Sequence, residues 1–135
     1  MEVMMVIAII GILCAIASPN LIKWLPRHRV GSAARDVMSA LEFARLNAIK
    51  ANGAVTVNFD FTGDRLTVVD SGGTTLRALG MPVDVDLEDF GLGGLVTFSG
   101  HGFSSASGRV SVQNTDNADL NRSINLTMGG NASIH

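Results

Sequence analysis

Cysteine, proline and aromatic residues are scarce in this 135-residue chain, and charge is missing from most of its first twenty positions. The single cysteine, Cys14, has no partner within the chain. Disulfides therefore do not stabilise the fold, and cysteine usage does not identify a compartment. Aromatic residues make up 5 % against a hydrophobic content of 47 %, so the apolar excess is aliphatic. The three histidines, His28, His101 and His135, are far apart and lack metal-ligand spacing. No nucleophile-elbow motif is present, and Cys14 lies in an apolar run, surroundings in which a thiol is inert. Gly91-Leu92-Gly93-Gly94 is not a dinucleotide loop, because the pattern after it is that of a strand. These absences point away from an enzyme.

The charge that is present is unevenly placed. Residues 1–50 carry six basic side chains (Lys23, Arg27, Arg29, Arg35, Arg45, Lys50) against three acidic ones, a net of +3. Residues 51–135 carry four basic and nine acidic side chains, a net of −5, which does not suit a nucleic-acid surface. A chain of this length has room for one globular domain and an appendage.

The appendage organises the rest. From Val3 to Ala17 there is no charge and no strongly polar side chain; Glu2 stands before this run and Pro19 just after it. A helix that is apolar all round must enter a bilayer, a large core or a bundle of copies of itself. Fifteen helical residues span ~22 Å, less than a hydrocarbon thickness of ~30 Å. A signal-peptide core is of similar length, but a basic leading region is missing, Glu2 has the wrong sign, and no small-x-small cleavage site follows. The remaining chain is too small to wrap such a helix.

The stretch EVMMVIAIIGILCAIASPN resembles the N-terminal signature of type IV pilins and type II secretion pseudopilins. Its marks are a glutamate (Glu2), an aliphatic run with an internal glycine (Gly11), and a proline (Pro19). The resemblance implies that Glu2 pairs with the N-terminal amine of a neighbouring subunit and sets axial register. A lone carboxylate in hydrocarbon is costly enough to need such a partner; the simpler reading is a favourable charge at a helix N-terminus. In the family the mature chain begins four residues before the glutamate, after a prepilin peptidase has acted, whereas only Met1 precedes Glu2 here. The expectation is a truncated or misplaced start, and restoring those residues lengthens the span to ~29 Å. Lys23, Arg27 and Arg29 follow the run and by charge alone would hold that side in the cytoplasm. The resemblance implies the reverse, a single pass through the bacterial inner membrane with the C-terminal domain in the periplasm.

Pro19 and Pro26 bracket a short segment read as a kink or a partly unwound joint, closing a first region, 1–26. Trp24 between Lys23 and Arg27 suits a membrane–water interface. The second region, 27–135, opens with a helix over 27–52. Its apolar stripe is Val30, Ala34, Val37, Met38, Leu41, Ala44, Ala48 and Ile49, and Asn52-Gly53 is the stop. Phe43 and Leu46 fall off the stripe and are candidates for contact with another subunit. From Gly53 the period is two, which predicts strands near 55–61, 65–69, 75–79, 82–87, 95–98, 108–113, 122–128 and 131–135. The fold class is α+β, one long helix packed on an antiparallel β domain at 53–135.

Within the pilin superfamily, VMSALEFARLNAIKANGAVTVNF, VTFSGHGFSSASGRVSV and SINLTMGGNASIH resemble the GspH/FimT subfamily. That resemblance implies a minor subunit at or near the tip of a secretion pseudopilus or type IV pilus, with other pilins and an inner-membrane assembly platform as partners. Members with DNA-uptake roles carry Gly-Arg-x-Arg in the last hairpin, where this chain reads Gly129-Gly130-Asn131-Ala132. Arg109 after Gly108 is an isolated match and reads as a solvated strand residue. Two acidic clusters are weak calcium candidates, Asp84 and Asp86 with Glu88 and Asp89, and Asp116 and Asp119 with Asn114 and Asn117. Neither has regular loop spacing, so a solvated face is the simpler reading, and no cofactor is expected. The alternatives are a major pilin and a singly anchored periplasmic binding domain that never polymerises.

Overall fold

The computed structural model describes residues 2–135, and over 17–23 it describes the backbone path alone. Met1, and with it the expected start of the mature chain, lies outside the described residues. One helix, α1 (Glu2–Ala51), takes up the first part of the chain. At 1.5 Å per residue it is about 75 Å long. The backbone is helical at every position from 19 to 26, so of the two expected forms of joint, a kink or a partial unwinding, the unwound one is not seen. The two expected helical halves are one element.

The helix ends where Asn52-Gly53 predicts. Asn52 takes a left-handed φ of 47°, its N–H donates to the Ile49 carbonyl at 3.2 Å, and the Gly53 N–H donates to the Ala48 carbonyl at 3.1 Å. This reciprocal pair satisfies two carbonyls of the last turn and reverses the chain into the first strand.

Eight strands follow: β1 (Val55–Asp60), β2 (Arg65–Asp70), β3 (Thr75–Gly80), β4 (Val85–Phe90), β5 (Leu95–Phe98), β6 (Gly108–Asn114), β7 (Asn121–Leu126) and β8 (Ala132–Ile134). They form two antiparallel four-stranded sheets, in the orders β3-β2-β1-β5 and β4-β6-β7-β8. Alternation explains the first strand: Val55, Val57 and Phe59 are buried while Asn58 and Asp60 face solvent. Strand β4 begins three residues later than its hydrophobic pattern suggests. Asp84 sits at φ 66° and the Val85 N–H closes a turn onto the Pro82 carbonyl, so 82–84 is a turn and not ladder. The sheets are tied through Asp64: its side chain accepts from the Leu87 N–H at 2.9 Å and its carbonyl from the Met81 N–H at 2.9 Å.

Both sheets pack on the C-terminal half of α1. Val30, Ala34, Val37, Leu41, Ala44 and Ala48 are buried as the stripe predicts. Ala33 and Ala40 are buried as well, which widens the stripe, while Ile49 is 46 % exposed. Five buried alanines on one face let the helix axis approach the sheets closely, and Leu41 and Val37 fill the remaining space. Across from them stand Val57, Val68, Val96 and Phe98 of one sheet and Val110, Val112 and Ile124 of the other. Each fully buried Leu, Val or Phe stabilises the fold by roughly 1.5–3 kcal/mol. The domain thus grips one half of the helix and leaves the other half free.

Candidate functional site: the free half of the helix

The first buried residue of α1 is Val30, so some 40 Å of helix extends beyond the domain. Every residue from Glu2 to Ile16 is exposed, and the large side chains among them, from Val3 to Ile16, are each at least 48 % exposed. Apolar side chains occupy all sides of this rod, because the sequence has no polar stripe to turn outward. A monomer seldom leaves so large a contiguous apolar surface uncovered unless something else covers it. Among the described residues, no helix is long and apolar enough to cross a membrane.

Glu2 is the acid of the first helical turn and the only charge in the exposed stretch 2–16. At Gly11 an added Cβ would meet nothing within 4 Å, so the glycine is a notch open to whatever lies beside the helix. The Pro19 side chain lies outside the described residues. Cys14 is exposed on the isolated chain, which corrects the expectation of a thiol buried in apolar surroundings: any such surroundings come from outside the chain. Trp24 is 55 % exposed, with its ring centroid 4.9 Å from that of His28.

The two side chains expected to reach a neighbour through the second half of the helix part company. Phe43 is partly buried against the chain's own core, and the Arg77 guanidinium lies 5.9 Å from its ring centroid. Strand β3 supplies that arginine, a contact no helical periodicity reveals. Leu46 is 56 % exposed and faces away from the domain.

Residues 33–130 match the family described as type II transport protein GspH. The chain belongs to the GspH family. Its fold is that of minor pilins and pseudopilins. The type IV minor pilin FimU of Pseudomonas aeruginosa superposes with a TM-score of 0.70 at 18 % identity, covering 81 % of this chain and 90 % of that one. The minor pseudopilin EpsH from the type 2 secretion system of Vibrio cholerae gives 0.67 at 14 % identity, covering 79 % and 96 %. No curated protein matches the chain by sequence. Membership in the GspH family makes the chain a pseudopilin-class subunit, associating with other pilin-class subunits in a periplasmic filament.

Other positions singled out in this GspH-family sequence have local roles. Asp84 pairs with Arg29 at 2.8 Å, Asp86 accepts from the Thr115 hydroxyl at 2.9 Å, and Asp89 accepts from the Leu92 and Gly93 amides. Asp84 and Asp116 do line one shallow cleft with Asn114 and Asn117. The Asp119 N–H donates to the Asn117 side chain. Among the described residues, no three His, Cys, Asp or Glu side chains converge closely enough to hold a metal. Arg109 is exposed and donates to Asn125 at 2.8 Å. At the position of the DNA-uptake motif, Gly130 has φ 73° and its N–H closes the β7–β8 turn onto the Thr127 carbonyl. A Cβ there would lie against the Gly102 carbonyl, so the turn is filled by backbone and not by arginine. Sequence reasoning missed one convergence, that of Arg27, Arg35 and Arg122 around a single groove. Arg122 is far from the others in the chain, and no spacing rule joins them.

Proposed function

We propose that the chain is a non-enzymatic minor subunit that enters a secretion pseudopilus or type IV pilus through its N-terminal helix. The observation that carries this reading is a helix half clamped by its own domain and half bare on all sides. Before assembly the bare half holds the chain in the inner membrane, with the β domain in the periplasm. In the fibre it is covered by the equivalent helices of neighbouring subunits, and the domain stands outside. This exchange of lipid for helices costs little, since both are apolar, and small residues such as Gly11 permit close approach.

Glu2 gives the exchange its direction. A carboxylate held in an apolar bundle needs a partner, and the N-terminal amine of the adjacent subunit supplies one with the correct charge. The pairing fixes axial register between helices that would otherwise slide on a featureless apolar surface. A prepilin peptidase that frees the amine and an assembly platform that lifts the subunit from the membrane are the partners this mechanism requires.

The test is Glu2→Ala in the full precursor. Membrane fractionation should be unchanged, while the amount recovered in sheared filaments should fall at least tenfold. Incorporation at the native level would show that the carboxylate plays no part in assembly.

A further inference from the structure

We propose that Arg27, His28, Arg35 and Arg122 form a groove for the phosphate of an anionic phospholipid headgroup, occupied while the subunit waits in the membrane. This rests on the membrane-held state proposed above. The groove, about 400 Å³, lies between α1 and β7 and is lined by all four side chains. The helix lies at one end of the chain and β7 near the other, so Arg122 joins Arg27 and Arg35 along one groove only because the fold brings them there.

Among the described residues, no carboxylate forms an ion pair with Arg27, Arg35 or Arg122. The one ion pair among the described residues uses Arg29, and none of Arg27, Arg35 or Arg122 makes a side-chain hydrogen bond there. Asp119 lines the adjoining cleft with Arg27 and Arg122 without pairing with either. Guanidiniums gathered on a concave surface match the oxygens of a phosphate in charge and in fork geometry.

Gly31 forms the floor. An added Cβ there would stand 3.7 Å from Nη1 of Arg35 and meet no backbone or buried atom within 4 Å. The Arg35 guanidinium therefore reaches back one turn, as helical side chains do, towards the level of Arg27. Glycine inside a helix is destabilising relative to alanine. No packing contact requires it at this position, and its effect is to keep the groove open.

Depth selects a lipid over a free ion. Trp24 precedes Arg27 by three residues, about 4.5 Å along the axis, and tryptophan favours the headgroup level. The Arg27 end of the groove consequently stands at the headgroup level, where lipid phosphates lie. The net negative charge of residues 51–135 disfavours a long polyanion such as nucleic acid.

Trp24 is the only tryptophan and borders the groove through His28. The full chain is placed in phosphatidylcholine vesicles containing, at equal mole fraction, acyl-brominated phosphatidylglycerol or acyl-brominated phosphatidylcholine. The brominated anionic lipid should quench Trp24 at least about threefold more strongly, given roughly fivefold per arginine near a charged surface. Replacing Arg27, Arg35 and Arg122 together by Gln should remove the excess and leave quenching by the neutral lipid unchanged. Gly31→Leu should also remove it by filling the floor without changing charge. Equal quenching in the native chain, or an excess that survives the triple replacement, overturns the proposal. Loss of the excess to inorganic phosphate at constant ionic strength overturns the lipid assignment in favour of a free anion. Absence of quenching by either lipid overturns the membrane-held state itself.

Discussion

Arg29 on α1 and Asp84 at the head of β4, fifty-five positions apart, meet at 2.8 Å. The pair ties the helix to the second sheet one residue before the helix becomes buried at Val30. Asp84 does more than pair. Its carbonyl accepts from Asn114 Nδ2 at 2.7 Å and from the Thr115 N–H at 3.1 Å, and its backbone is left-handed. The side chains of Arg29 and Asp84 are 36 % and 44 % exposed, so solvent screens the ion pair. Arg29→Ala should therefore cost no more than ~1 kcal/mol, and less at high salt. Asp84→Ala should cost about 1 kcal/mol more, because alanine tolerates a left-handed φ less well, and Asp84→Gly should recover that increment. Denaturant titration of the full chain in detergent reads all three.

Leu41 and Leu46 mark the packed and the open face of the helix. Leu41 is buried between α1 and the sheets, and Leu46 is exposed on the opposite side. Leu41→Ala should lower stability by ~2–5 kcal/mol, and Leu46→Ala by less than ~0.5 kcal/mol. If Leu46 serves assembly, its alanine variant should still be recovered less in filaments. Equal recovery would remove it from the interface while leaving the core assignment untouched.

At Gly108 and Gly130, as at Gly100, an added Cβ would strike backbone, and Gly130 is left-handed as well. A Cβ at Gly108 would stand 2.5 Å from the Gly91 carbonyl oxygen, and one at Gly130 would lie against the carbonyl of Gly102. Neither neighbour is a side chain that can swing aside. Gly108→Ala and Gly130→Ala should each cost ~1–3 kcal/mol or more by thermal unfolding. Gly11→Ala, with open space around it, should not destabilise the isolated subunit.

Calcium should not matter to stability. The carboxylates of Asp84, Asp86 and Asp89 are already engaged by Arg29, Thr115 and the Leu92 and Gly93 amides. Adding a calcium chelator to the full chain should leave its thermal midpoint unchanged. A lowered midpoint would show that the acidic loops bind the ion.

What the sequence reveals and conceals follows from the range of each interaction. The helix stop at Asn52-Gly53 and the period-two strands are set by neighbours within a few residues, so pattern alone finds them. Strand β4 is misplaced because a left-handed Asp84 is invisible to hydrophobic alternation. Phe43 packs on the core with Arg77 over its ring, and the basic groove includes Arg122, contacts made across distant elements. The division into two sheets is likewise a matter of pairing between strands, such as β1 with β5 and β4 with β6, that no local signal specifies. The bare apolar rod needs no tertiary information, which is why the proposed assembly surface is the most legible part of this protein.

The central claim is that neighbouring subunits cover that rod. A photo-cross-linking residue in place of Ile12, 61 % exposed on the free half of the helix, tests it most directly. With the assembly machinery present, irradiation of intact cells should join the chain to other pilin-class subunits, and Glu2→Ala should abolish the product. A chain that stays monomeric with the machinery and without it would contradict the account.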